Sequence, residues 1–207
     1  LLLPAGSALA EDCVVLLHGL WRSDNSTNKM EKALAEAGYA VRTIEYDSTE
    51  LTVQELADEA SPRATASCGE SEPIHFVTHS MGGILLRQYL EENDIETLGR
   101  VVMLGPPNQG SEVIDTYKDV PGFSWFTGPA GLQLGTGEAS VPRSLGPVTF
   151  DVGVIAGTQS INPILSGIIP EEDDGKVSVA STRVDGMNDH MELPVTHVFM
   201  MRDEQVF

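Results

Sequence analysis

The chain reads as an α/β protein built on one mostly parallel sheet with helices on both faces. Three observations carry that expectation. Apolar runs such as Val14-Val15-Leu16-Leu17 and Val101-Val102-Met103-Leu104 lack the polar alternation of a strand with one wet face, so they suit strands buried on both sides. Between such runs lie stretches with apolar residues at helical spacing, and strands alternating with helices imply parallel pairing through right-handed crossovers. His18, Ser80 and Pro106 all fall where predicted strands end, and parallel sheets bind their ligands at the carboxyl ends of the strands.

Taken in order, the first predicted strand, Val14 to Leu17, runs into His18-Gly19-Leu20-Trp21. Met30, Ala33, Leu34 and Ala37 then recur at helical spacing, with Asn28 three residues before Glu31 as a capping signal and Gly38 as the stop. Val41 to Tyr46 returns to strand. Val53, Leu56, Ala57 and Ala60 mark a second helix, expected to break or end near Pro62. Ile74 to His79 is the next strand, and after Ser80 a helix presents Gly82, Leu85, Leu86, Tyr89 and Leu90 to the core. Arg100 to Leu104 ends in Gly105-Pro106-Pro107, and Val152 to Gly157 is a further strand.

The chain of 207 residues reads as a single domain over 11–207, with an insertion at about 108–147. That insertion carries Pro121-Gly122-Phe123-Ser124-Trp125-Phe126 and a glycine-rich stretch from Gly128 to Gly137. Long irregular segments inside compact domains are functional or disordered, and aromatic content opposes disorder. The insertion is therefore expected to form a cap over the carboxyl ends of the strands and line an apolar pocket; a satellite core under a long loop is the alternative. Trp21, Phe123, Trp125 and Phe126 are the candidate substrate-binding residues.

Composition narrows the function classes. The formal net charge is −19, with 31 acidic against 12 basic residues, so a phosphate-backbone partner is excluded as an expectation. Residues 1–10 resemble the tail of a secretory signal, an apolar stretch closing on Ala8-Leu9-Ala10, the small-x-small form a signal peptidase requires. Secreted or periplasmic localisation follows as an expectation, and an oxidising compartment would allow Cys13 and Cys68 to pair. Both cysteines precede strands, so if those strands are neighbours they meet at the end of the sheet opposite the chemistry. Closing that loop would contribute about 4 kcal/mol in the chain-entropy treatment.

The chemistry centres on Ile74-His75-Phe76-Val77-Thr78-His79-Ser80-Met81-Gly82-Gly83, a strand, a tight turn and the start of a helix. Such a turn projects a serine hydroxyl from the sheet edge, and the motif G-x-S-x-G places small residues two before and two after it. Gly82 fits, whereas Thr78 departs from the pattern. A hydroxyl needs a base, and the base needs an orienting acid, expected in the order acid then histidine. After Ser80 only His190 and His197 remain. His197, in a loop expected to enter an apolar terminal helix, is assigned the base role, and His190 a surface or supporting one. Of the carboxylates Glu171, Glu172, Asp173 and Asp174, Asp174 is favoured because Gly175 and Val177 follow it, with Asp173 second. The backbone N–H groups of Leu20 and Met81 are the expected oxyanion donors. His18, His75 and His79 read as packing or turn-fixing residues, and no metal-ligand pattern is present.

Together His18-Gly19-Leu20, Thr78-His79-Ser80-Met81-Gly82-Gly83, Asp174-Gly175-Lys176-Val177 and Thr196-His197 resemble the α/β-hydrolase superfamily, most of all its small secreted bacterial lipases and esterases. Gly105-Pro106-Pro107-Asn108-Gln109-Gly110-Ser111 also resembles the "P-N-x-G" turn that borders the site in that group. The resemblance implies an α/β-hydrolase fold of about six strands lacking its first ones, a Ser-His-Asp triad, hydrolysis through an acyl-enzyme, and no organic cofactor. The expected partners are an acyl ester or lipid substrate and, transiently, a lipid interface, with no nucleic acid and no metal; the chain is expected to be monomeric. Thioesterase, amidase or acyltransferase chemistry on the same residues, or a non-catalytic binding module, are the alternatives.

Overall fold

The computed structural model describes residues 12–20, 24–71 and 73–207, with the side chains of 24–26 outside the described set. The stretch read as a signal remnant and the candidate pocket residue Trp21 lie outside the described residues. Among the described residues six strands form one sheet in which every neighbouring pair is parallel. In chain order they are β1 (Cys13–Leu17), β2 (Ala40–Ile44), β3 (Ile74–His79), β4 (Leu98–Leu104), β5 (Val152–Gly157) and β6 (Asp189–Leu193). Their spatial order is β2-β1-β3-β4-β5-β6. The chain thus moves outward from β1 to β2, then returns to the other side of β1 with β3. The crevice at the carboxyl ends of β1 and β3 is where the winding direction reverses, the position at which such sheets hold ligands.

Strand residues alternate between two cores, as a period of two requires. Val15 and Leu17 of β1 face one apolar cluster, together with Leu56, Ala57, Leu85 and Leu86. Val14 and Leu16 face the other, with Met30, Met200 and Met201. The first cluster belongs to α2 (Val53–Ser67) and α3 (Met81–Glu92), the second to α1 (Asp24–Glu36) and the chain end. This is the two-sided burial that the uninterrupted apolar runs require.

Some elements differ from the sequence reading. α1 begins at Asp24, one turn before the capping signal at Asn28, although it still stops before Gly38. α2 continues through Pro62 to Ser67. Pro62 and Asp58, four residues back, are both exposed, so water can take the carbonyl that the proline leaves without a partner, while Leu56, Ala57, Ala60 and Ala64 stay packed. The strand β6 has no apolar run to announce it. Past His197 the chain forms only a 3₁₀ turn at Met200–Arg202, not the expected terminal helix.

Between β4 and β5 the insertion contains α4 (Glu112–Tyr117), α5 (Phe123–Leu132) and α6 (Val141–Ser144). α5 is broken at Gly128, whose backbone presses against the Thr49 carbonyl. Beyond the break, Ala130 N–H donates to the Leu51 carbonyl and the Gln133 side chain accepts from Val53 N–H, tying this half to the start of α2. Two short helices, α7 (Pro163–Ser166) and α8 (Val179–Thr182), lie between β5 and β6. Cys13 and Cys68 form a disulfide with a Cα–Cα separation of 5.8 Å. It joins the first residue of β1 to the end of α2, at the end of the sheet away from Ser80.

Candidate active site

Ser80 joins β3 directly to α3 and has φ 55° and ψ −125°. Among the described residues it is the only one other than glycine with positive φ. A conformation of this kind costs of order 1–3 kcal/mol, so surrounding contacts must impose it. Two close approaches do. A Cβ at Gly82 would lie 2.6 Å from the Leu17 carbonyl oxygen, so the first turn of α3 sits on the end of β1. A Cβ at Gly19 would lie 2.8 Å from the Ser80 Cβ, so the loop after β1 abuts the serine from the other side. The departure at Thr78 also has an explanation: Thr78 is fully buried, and a Cβ at Gly83 would stand 3.1 Å from its Oγ1. The space that a glycine usually provides two residues before the serine is here provided three residues after it.

Asp174 and His197 form a buried pair over the ends of β4 and β5. His197 Nδ1–H donates to Asp174 Oδ2 at 2.7 Å, and the His197 backbone N–H donates to the Asp174 carbonyl at 2.9 Å. The other carboxylate oxygen, Oδ1, accepts from the N–H groups of Lys176 (3.0 Å) and Val177 (2.9 Å). The Asp174 side chain is therefore fixed at both oxygens before it meets the imidazole. Asp173, the second choice, accepts from Gly175 N–H (2.6 Å) and the Ser166 hydroxyl (2.8 Å) and so shapes the turn instead. Gly105 ends β4 with φ 53°, and a Cβ there would lie 2.9 Å from Asp174 Oδ2 and 3.1 Å from His197 Nδ1. The pair rests on a floor that only glycine can make.

The remaining histidines have structural partners. His79 Nε2 donates to the His197 carbonyl at 2.9 Å, and the two rings lie 4.8 Å apart. His75 Nδ1 accepts from Arg100 N–H at 2.8 Å across the β3–β4 pair. His190, on β6, has its Nε2 2.8 Å from the Thr182 hydroxyl; burial first, then the Arg183 cation, holds its pKa below the usual range.

Ser80 and His197 open into one cavity of about 390 Å³. Gly19 and Leu20 border it next to the serine, and its walls include Ile114, Phe123, Phe126, Leu134, Leu165 and Val177. Phe123 and Phe126 thus line the cavity. Trp125 is not among the lining residues and is 87% exposed. Met81 is the first residue of α3, and the N–H groups of a helix's first turn have no acceptor within the helix, so they and the helix dipole favour negative charge there.

No family model matches the chain, and no curated protein matches it by sequence. Solved structures do match. The chain is similar to the mature form of lipase BlEst2 of Bacillus licheniformis, with 19% identity over 93% of this chain and 87% of that one and a TM-score of 0.70. It is similar to a metagenomic carboxyl esterase, with 18% identity over 95% of this chain and 68% of that one and a TM-score of 0.72. Lipase 1 of Pelosinus fermentans matches at 12% identity over 95% of both chains, with a TM-score of 0.67. The fold is that of the α/β-hydrolases.

Within that fold the sequence reading missed the roles of Gly105 and Gly83, which show only once their distant neighbours are in place. Leu165 was missed as well, because it follows β5 in a short helix with no motif of its own. Arg87 is a further omission. It is buried in α3, and burial pushes its pKa down to about 10. Its guanidinium donates to Asn108 Oδ1 (3.0 Å) and to the carbonyls of Asn108, Leu145 and Gly146. Asn108 in turn donates to the Thr182 carbonyl at 2.7 Å. The turn bordering the cavity is thereby bound to the helix that follows Ser80.

Proposed function

We propose that the chain is an exported serine hydrolase that cleaves carboxylic acyl esters. The observation that carries this reading is the convergence of a serine in strained backbone with a carboxylate-paired histidine on one largely apolar cavity. Ser80 Oγ attacks the ester carbonyl carbon as His197 Nε2 takes the hydroxyl proton, and Asp174 holds the resulting imidazolium in place. The oxyanion is met by the N–H groups of Leu20 and Met81. On collapse the C–O bond to the alcohol breaks, and the proton on His197 passes to the departing oxygen. Water then repeats the sequence: His197 takes its proton, the hydroxyl adds to the acyl carbon, and Ser80 leaves with the proton restored. The apolar walls accept the acyl group, whose burial contributes about 0.8 kcal/mol per methylene.

The surface beside the cavity suits a lipid aggregate. Trp125 and Phe126 on α5 and Ile164 on α7 are 87%, 56% and 71% exposed, each next to or among the residues that line the cavity. A net charge of −19 repels anionic membranes, so the aggregate is neutral or zwitterionic. Export fits the disulfide, which persists in oxidising compartments.

A fluorophosphonate probe tests the reaction. Labelling that is abolished by Ser80→Ala, with hydrolysis of a graded series of acyl esters, supports it; labelling that persists in Ser80→Ala refutes the assigned nucleophile. Asp174→Asn lowers activity by on the order of 10⁴-fold, whereas Asp173→Asn does so far less. Trp125→Ser lowers the rate on zwitterionic micellar substrate and leaves the rate on soluble short-chain ester unchanged.

A further inference from the structure

We propose that His18 and Tyr46 are positioning residues that aim the Leu20 N–H at the reacting oxygen, an assignment that rests on the ester hydrolase reading above. β1 and β2 are paired in parallel with Leu17 opposite Ile44, so the residues just beyond the two ends come side by side at the rim that carries Ser80. There His18 and Tyr46 stack, with ring centroids 4.1 Å apart and planes 12° from parallel. Both are buried, His18 to 2% exposure and Tyr46 to 8%.

Two hydrogen bonds go beyond packing. The Tyr46 hydroxyl donates to the backbone carbonyl of His18. Burial raises the Tyr46 pKa, so its hydroxyl keeps the proton it donates. His18 Nδ1 lies 2.7 Å from the Gly19 carbonyl oxygen. A carbonyl only accepts, so Nδ1 carries the proton, and the ring reaches forward to hold the next peptide.

That peptide is the one whose nitrogen belongs to Leu20. A trans peptide is planar, with its C=O and N–H directed oppositely. Drawing the Gly19 oxygen toward the imidazole therefore turns the Leu20 N–H away from it. In the sheet order β2-β1-β3, Tyr46 follows β2 on one side of β1 and Ser80 follows β3 on the other, so a peptide oxygen held toward the His18–Tyr46 stack leaves the N–H to the side of Ser80, where an oxyanion on its adduct forms. Without the bond from Nδ1 the Gly19 oxygen loses the partner that fixes the tilt of this peptide, and a donor that must reorganise during reaction loses much of its effect. Tyr46 acts one step further back, by fixing the carbonyl and ring plane of His18. Neither side chain touches the reacting atoms.

The test compares His18→Leu, His18→Asn and Tyr46→Phe on one soluble acyl ester and on its thionoester, in which sulfur replaces the carbonyl oxygen. Sulfur is the weaker hydrogen-bond acceptor, so the ratio of oxoester to thionoester kcat reports on oxyanion contact. His18→Leu is expected to lower kcat by about 10- to 100-fold, with KM little changed and the ratio falling toward one. His18→Asn places an amide N–H where Nδ1–H stood, and is expected to restore most of both. Tyr46→Phe keeps the stack and is expected to lower kcat by a smaller factor in the same direction. Should His18→Leu fail to fold, Tyr46→Phe and His18→Asn carry the same comparison. A folded His18→Leu or Tyr46→Phe protein with an unchanged ratio overturns the proposal, as does a folded His18→Asn protein as impaired as His18→Leu. Ser80-dependent hydrolysis by the unaltered protein tests the reaction itself, so failure of one is distinguishable from failure of the other.

Discussion

Replacing Gly105 with alanine puts one methyl group under the Asp174–His197 pair. The new Cβ would stand 2.9 Å from Asp174 Oδ2 and 3.1 Å from His197 Nδ1, against about 3.5 Å for an ordinary carbon contact. Both partners have to rise by roughly half an ångström. Asp174 resists, because its other oxygen is bound to the N–H groups of Lys176 and Val177. The backbone adds its own term, since φ of 53° costs an L-residue about 1–2 kcal/mol. With about 1–2 kcal/mol of overpacking the expected destabilisation is about 2–4 kcal/mol, a Tm fall of about 4–16 °C for a chain of this size. Misplacement by 1 Å can lower turnover about 10²-fold, so half that displacement predicts a kcat loss of about tenfold. Calorimetry and steady-state kinetics on one soluble ester check both numbers. A Gly105→Ala protein with unaltered Tm and kcat would show that the pair does not rest on this glycine and would refute the reasoning.

Three further outcomes follow from other contacts. Gly83→Ala alone should destabilise by pressing on Thr78 Oγ1, and Thr78→Gly should relieve it, giving a coupling of about 0.5–1 kcal/mol in a denaturant-based double-mutant cycle; additive effects would deny that the two positions share one space. Replacing Cys13 and Cys68 by serine should lower unfolding free energy by about 4 kcal/mol while leaving activity at low temperature unchanged, since the bridge is at the far end of the sheet. His190 has a pKa lowered from 6.5, so as pH falls below that value the unfolded chain binds more protons than the folded one and stability declines. His190→Gln should flatten that part of the stability-pH curve, measured by thermal denaturation, and leave the region above pH 6.5 untouched.

Much of the architecture was legible because it depends on local signals. The largely apolar runs ending at Leu17, His79, Leu104 and Gly157 locate four of the six described strands almost to the residue, since a strand buried on both faces is built mostly from apolar side chains. β6 was invisible for the converse reason. Asp189-His190-Met191-Glu192-Leu193 lies at the edge of the sheet and is largely exposed, so it carries no such run. Pro62 misled because a proline rule read from sequence cannot know which face of the helix meets water. At the candidate site, motif and chain order single out Ser80, Asp174 and His197, and the fold sets Ser80 and the Asp174–His197 pair around one cavity. What brings them together is absent from any motif: the contacts of Gly105 and Gly83 are with residues whose positions depend on the finished fold. The stacking of His18 on Tyr46 was equally hidden, since it needs the register of β1 against β2.

The break in α5 at Gly128 divides the insertion into two parts with separate obligations. From Ala130 onward the segment is bonded to Leu51 and Val53 and serves the framework. Phe123 to Thr127, on the other side, supplies three lining residues of the cavity, Phe123, Phe126 and Thr127, and Trp125, the most exposed aromatic among the described residues. A protein engineer can therefore vary Trp125 and Phe126, the exposed residues of that turn, to reshape the cavity mouth while Phe123 and Thr127, packed toward the core, stay as they are.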